Sequence, residues 1–309
     1  MAAMDAQLVC AAGARANRRP AVRGRLRAGM LLAAAALAAA ACLRRSSGAG
    51  PVESADSQPA FLGLKLLNVT QVAAKSFPGA RPGKAVMSRA MAALKPYGVK
   101  RGNTIYGTSI CSDEINGDAG HFPALMGKFF GKTFPLGGIG GAPYVGKTGF
   151  GAFSHHVPDD GHVLIVFGPH IGISVDGEPG KFLRDGQHKH STACGAVIAA
   201  YQQVSSGMAA GSDPSDVEQA WLRGKLRSAC GEVAASDDPM VALVMKAYKA
   251  VEEEMLNIVN TDFGSGNLIL IGGIQINMPY PLPGYFAPLH FSVRSWSHDE
   301  PEDLLEAFD

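Results

Sequence analysis

Cys111, His170 and Cys194 are three side chains of metal-ligating type, set 59 and 24 residues apart. Cys111 closes the β-branched and aromatic run Thr104–Cys111 (TIYGTSIC), which reads as a strand. His170 follows the continuous apolar run His162–Phe167 (HVLIVF), inside Gly168-Pro169-His170-Ile171-Gly172. Ligands of open α/β sheets gather at the carboxyl ends of strands. Cys194 falls in the first turn of a helix expected over Ser191–Val204, with Ser191 as its N-cap. The helix dipole and free N–H groups there favour thiolate. Two thiolates and one imidazole, with a fourth position left to water, make a catalytic zinc site. The spacings fit no short zinc motif. By position alone the three read more readily as two buried thiols and a hydrogen-bonded loop histidine.

Asp113 stands two residues after Cys111, in Cys111-Ser112-Asp113-Glu114. Its carboxylate is placed either to orient a metal-bound water or to bind the metal and close the site. Zinc lowers the pKa of bound water to about 7, which gives hydroxide at neutral pH.

Strands alternating with helices must position these groups. Lys84–Lys95 has helical apolar spacing and stops before Pro96-Tyr97-Gly98; Gly117–Phe130 is expected to be helical in part. Eight glycines between 131 and 151 predict a shaped loop without regular structure. Asp213–Ala235 and Asp237–Asn260 read as helices, Asn267–Asn277 (NLILIGGIQIN) as a buried strand, and Tyr285–Val293 as a further strand. The fold class is therefore α/β, a mainly parallel sheet flanked by helices. No internal repeat is visible.

The chain has 309 residues, 47% of them hydrophobic, and a net charge of +1. Residues 1–50 hold eight Arg and one acid, about +7, so the remainder is about −6 and offers no footprint for nucleic acid. The Ala- and Arg-rich residues 1–50 read as a plastid-targeting leader, either bipartite around Met30–Leu43 or one long transit peptide. Met30–Leu43 is too short for an ordinary membrane span. Residues 51–60 read as a linker and 61–298 as the zinc-binding catalytic domain. Residues 299–309 form an acidic tail expected to fray. Cys111, Cys194 and Cys230 are an odd, widely spaced set, which fits metal binding or buried thiols and not a disulfide framework.

The runs Gly138–Gly161 (GIGGAPYVGKTGFGAFSHHVPDDG) and Leu164–Gly172 (LIVFGPHIG), the segment Ala193-Cys194-Gly195-Ala196, and Leu268–Asn277 followed by Tyr285-Phe286 resemble the limiting-CO2-inducible B/C protein family of algae. That family overlaps the theta-class carbonic anhydrases, and the resemblance spans roughly residues 60–295. It implies a fold similar to β-class carbonic anhydrases and a dimer, or a hetero-oligomer with a related subunit. It also implies zinc on Cys111, His170 and Cys194 with Asp113 beside the metal, and reversible hydration of CO2 to bicarbonate in an algal CO2-concentrating mechanism. The β-class pattern places an Arg two residues after the Asp, where this chain has Ile115. Arg184 is the candidate to restrain Asp113 instead; its alternative reading is a solvated loop Arg. A catalytically silent homolog serving as a partner subunit fits the same resemblance.

Gly141–Thr148 matches the P-loop pattern literally. A true P-loop follows a buried strand and opens a helix, and the Gly- and Pro-rich flanks argue against both. His155-His156 and the pair His188 and His190 are candidates for proton transfer, with solvated loops as the plainer reading. His121, His290 and His298 show no partner in the sequence.

Overall fold

The computed structural model describes residues 57–208, 213–259, 262–298 and 300–309. The proposed leader and most of the linker lie outside them. Helix α1 (Ser57–Ser76) leads to strand β1 (Arg81–Pro82), helix α2 (Gly83–Leu94) and strand β2 (Thr104–Ile110). Then come α3 (Phe122–Phe130), β3 (Thr133–Pro135), α4 (Gly146–Ser154), β4 (His162–Gly168) and β5 (His170–Gly172). A small ribbon, β6 (Lys181–Phe182) and β7 (Ser191–Thr192), precedes α5 (Gly195–Ser205), α6 (Val217–Leu226), α7 (Cys230–Ala234) and α8 (Pro239–Ile258). The chain ends with β8 (Asn267–Asn277), β9 (Tyr285–Ser295) and β10 (Glu302–Asp303).

Strand β4 is buried along its whole length because both faces of the sheet are covered. Its side chains alternate. Val163, Ile165 and Phe167 join a core with α1, α4 and α8, while Leu164 and Val166 join one with α2 and α3. The main sheet runs β1-β9-β8-β4-β2-β3, with β5 on β8 and β10 on β9. The pairs β2·β3, β2·β4 and β4·β8 are parallel, and β8·β9 is antiparallel. Helix α8 presents Leu243, Val244, Ala247, Tyr248, Val251, Met255 and Ile258 at three- and four-residue steps, and Asp238 caps it by accepting from the Val241 N–H. No helix among the described residues is long and apolar enough to cross a membrane.

Four local expectations are corrected. Residues 57–60 are the first turn of α1 and not linker. The glycine-rich stretch holds β3 and α4, because Phe150 and Phe153 anchor that helix in the core. Helix α5 begins at Gly195, so Ser191 pairs in β7 and Cys194 occupies the N-cap position. The acidic tail does not fray. Phe308 is buried against Phe291, β10 pairs with β9, and Arg81 donates to the backbone carbonyls of Phe308 and Asp309.

Candidate metal centre

Parallel pairing sets Ile110 beside Gly168, so Cys111 and His170 emerge together at the carboxyl ends of β2 and β4. The turn into β5 depends on backbone-to-backbone packing. Gly168 has φ +143°, and a Cβ there would collide with the carbonyl of Gly273; Gly141 has φ +79°, and its Cβ would collide with the carbonyl of Gly168. Cys194 arrives from the other side, at the start of α5. The donor atoms of Cys111, His170 and Cys194 all lie within 4.8 Å of one another. The two sulfurs are 3.6 Å apart. Tetrahedral zinc with Zn–S bonds near 2.3 Å would hold them about 3.8 Å apart. His170 is fully buried, and its Nε2 has no hydrogen-bond partner among the described residues. Such an atom is costly unless a further ligand uses its lone pair. Two thiols, an orphaned imidazole nitrogen and the sulfur spacing all fit a metal ion of zinc's preferences.

The two sulfurs are within hydrogen-bond reach of each other. The contact with Cys194 and burial both push the Cys111 pKa well above the ordinary thiol value. Cys194 moves the other way. The contact with Cys111 lowers it most, burial opposes, and the Val197 and Ala196 N–H groups at the start of α5 lower it further. The Gly140 N–H also donates to Cys111 Sγ at 3.2 Å.

Asp113 Oδ2 lies 3.5 Å from His170 Nε2, which puts this carboxylate at the edge of the donor cluster. Arg184 Nη2 donates to that same oxygen at 2.6 Å. Arg184 also donates through Nε to Glu114 and through Nη1 to Ser191 Oγ and the Thr192 carbonyl. Five donors in a planar fork suit this many acceptors. Ile115, where the β-class pattern has Arg, is buried and turned into the protein. The β6–β7 ribbon supplies the guanidinium from a different part of the chain.

A cleft of about 390 Å³, lined by Ile110, Cys111, Asp113, Glu114, Thr133 and Pro135 among others, opens onto Cys111 and Asp113. His170 and Cys194 also line a second, nearly filled space with Val197, Met240, Leu243 and Val244. Small molecules therefore approach from the Asp113 side.

The remaining sequence candidates lie apart from this cluster. Helix α4 does open at Gly146, as a P-loop requires, against the sequence expectation. However, its preceding strand is the three-residue edge strand β3, and the N–H groups of Gly141, Ala142, Tyr144, Val145 and Gly146 are committed to carbonyls of the chain. They form no phosphate cradle. His155 borders a different cavity with Lys147, and His190 another with Tyr280. His121, His290 and His298 have partners after all, in the Asn116 carbonyl, Ser292 with Glu252, and Ser297. Sequence reading missed Asn116 and Asn277. Asn277 Oδ1 lies 2.8 Å from His170 Nδ1, and Asn116 donates to the Cys111 carbonyl at 3.0 Å. Their signal was position: one ends the strand beside His170, and the other lies five residues past Cys111.

Fold and site together define an α/β protein with a mainly parallel sheet and a buried Cys-His-Cys cluster at its carboxyl edge. Residues 80–295 match the family described as limiting CO2-inducible proteins B/C, β carbonic anhydrases, and the chain belongs to it. Among solved structures, PtLCIB4, a homolog of the limiting CO2-inducible protein LCIB, is 32% identical with a TM-score of 0.69, covering 76% of this chain and 98% of that one. LCIB itself is 23% identical with a TM-score of 0.59, covering 74% and 96%. No curated protein matches.

Proposed function

We propose that this protein is a zinc-dependent carbonic anhydrase that interconverts CO2 and bicarbonate. The observation that carries the proposal is the convergence of Cys111, His170 and Cys194 with the Asp113–Arg184 pair beside them. When bound, zinc supplies the Lewis acidity that makes water a nucleophile near neutral pH.

The chain's own residues do the rest. Cys111 and Cys194 give up their protons to hold the metal, helped by the N–H groups of Gly140, Ala196 and Val197. His170 offers Nε2 because Nδ1 is engaged by Asn277. Asp113 Oδ2, held by Arg184 and lining the cleft, would accept a hydrogen bond from a water there and orient it. Arg184, by occupying Oδ2, would keep this carboxylate from serving as a further metal ligand. Val197, Leu243 and Val244 exclude bulk water from the space beside His170 and Cys194.

The Ala- and Arg-rich residues 1–50 support delivery to a plastid, stroma or thylakoid lumen, and hence a role in an algal CO2-concentrating mechanism. A fluorescent fusion of residues 1–60 that stays outside plastids would refute this. Family membership supports a homodimer or a pairing with a related subunit, which sedimentation of the purified protein checks.

Bound zinc and CO2 hydration, measured on one purified sample, test the function. Zinc at one per chain with hydration supports the enzyme. Zinc without hydration favours a silent partner subunit.

A further inference from the structure

His170 meets the donor cluster with one ring nitrogen and a buried amide with the other. Its Nδ1 lies 2.8 Å from the Asn277 side chain. An Asn amide can present oxygen or nitrogen at a given point, so this contact alone does not say which ring nitrogen carries the proton. The surroundings do. The other end of the Asn277 amide faces the Ile115 carbonyl at 3.3 Å, and a carbonyl only accepts. That end is therefore the NH2, and Oδ1 faces His170. Asn116 is fixed in the same way. One end of its amide lies 3.0 Å from the Cys111 carbonyl, so that end is its NH2. Its Oδ1 then accepts from Asn277 Nδ2 at 3.1 Å.

The sequence Cys111 carbonyl, Asn116 amide, Asn277 amide, His170 imidazole thus has a single direction. Asn116 is 7% exposed, Asn277 1% and His170 0%, so water does not compete for these bonds. The direction ends with a proton on His170 Nδ1, which in the neutral ring leaves the lone pair on Nε2, the nitrogen without a hydrogen-bond partner at the donor cluster.

We propose that Asn116 and Asn277 form a directional amide relay that fixes the His170 tautomer before any metal arrives, with Asn277 as the positioning residue. The relay starts at the backbone of one metal-ligand residue, Cys111, and ends on the ring of another, so it also ties the two strand ends together. An amide suits this place better than a carboxylate. The site already gathers two thiolates and Asp113, and a neutral acceptor orients the imidazole without adding a fourth negative charge. The geometry stands without the carbonic anhydrase reading; the effect on zinc rests on it.

The test is the tautomer of His170 in the metal-free, full-length protein. It is read from long-range proton–nitrogen correlations of 15N-histidine-labelled protein at alkaline pH, where the ring is neutral, and assigned against His170→Gln. Zinc affinity is measured in parallel by competition with a chromophoric chelator. The wild type is expected to show Nδ1–H. Asn277→Leu, close in shape but without polar atoms, should admit the Nε2–H form and weaken zinc binding by roughly 10- to 100-fold. Asn277→Asp keeps the acceptor toward Nδ1 and should keep Nδ1–H, but its second oxygen meets the Ile115 carbonyl and Asn116 Oδ1, so this variant should melt below the wild type.

Nε2–H in the wild type, or Nδ1–H that survives Asn277→Leu, overturns the relay. If Asn277→Leu does not fold, the wild-type tautomer alone decides. A wild type with Nδ1–H and no affinity for zinc would support the relay while contradicting the carbonic anhydrase reading. Tight zinc binding with Nε2–H in the metal-free form would do the reverse.

Discussion

Arg184 Nη2 donates to Asp113 Oδ2 at 2.6 Å across 71 residues of chain, and both side chains are largely buried, at 17% and 13% exposure. A charge-assisted bond in such a setting is short and directional. It holds one carboxylate oxygen 3.5 Å from His170 Nε2, next to the donor atoms but committed to the guanidinium.

Removing that restraint should change catalysis more than metal content. Arg184→Gln should lower kcat/KM for CO2 by roughly 100-fold, because a carboxylate misplaced by about 1 Å no longer orients the water. Zinc content should stay near wild type. Stopped-flow hydration with metal analysis on the same preparation checks this, and an unchanged rate would show that Arg184 is a surface contact only.

The two thiolates should be needed for the metal itself. Cys111→Ser and Cys194→Ser should each lose most of the bound zinc after brief dialysis against a chelator, since serine is a far poorer zinc ligand. Metal analysis of each variant gives the answer. Zinc retained at wild-type stoichiometry in both would place the ion elsewhere.

Gly168 allows the turn that carries His170 out of β4. Its φ of +143° and the Gly273 carbonyl beside it leave no room for a Cβ. Gly168→Ala should shift the turn, lower the thermal midpoint and reduce zinc affinity together. Gly186, also at positive φ but open to space, should lower the midpoint much less as Ala and leave zinc affinity unchanged. Paired melting curves and chelator titrations separate the two positions.

Away from the site, Glu252 gives a pH signature of stability. Burial alone would raise its pKa, but bonds with His290, Lys249 and Tyr248 overcome this and hold it at about 2. A depressed carboxyl stabilises the fold above its unfolded value and loses that contribution as pH falls toward the folded value. Glu252→Gln should therefore cost roughly 1–3 kcal/mol near pH 7. The gap from wild type should shrink between about pH 4.5 and pH 2. Denaturant midpoints at several pH values measure this, and a constant gap would contradict the sign.

Much of this was legible in the sequence because each ligand sits beside a strong local signal. HVLIVF and NLILIGGIQIN are runs that only a strand buried on both faces accommodates, and they place His170 and Asn277 at strand ends. The glycine-rich stretch misled for the opposite reason. Local propensity favours loop, but Phe150 and Phe153 fill the core and bring α4 into being. The helix start at Gly195 was misplaced because Ser191 is a good N-cap by type, while its hydroxyl is already taken by Arg184. The tail read as acidic and frayed, since the burial of Phe308 depends on Phe291, a partner that only the tertiary fold provides. The Arg184–Asp113 pair is long-range and follows no motif, so family departure at Ile115 suggested that a substitute was needed and the fold supplied its geometry.

The central claim is tested most directly by measuring bound zinc and CO2 hydration across pH on a single preparation of the full chain. The account predicts one zinc per chain and a hydration rate that rises through neutral pH as water on the metal is ionised. A folded protein that binds no zinc, or a fully loaded one that hydrates no CO2, would contradict it.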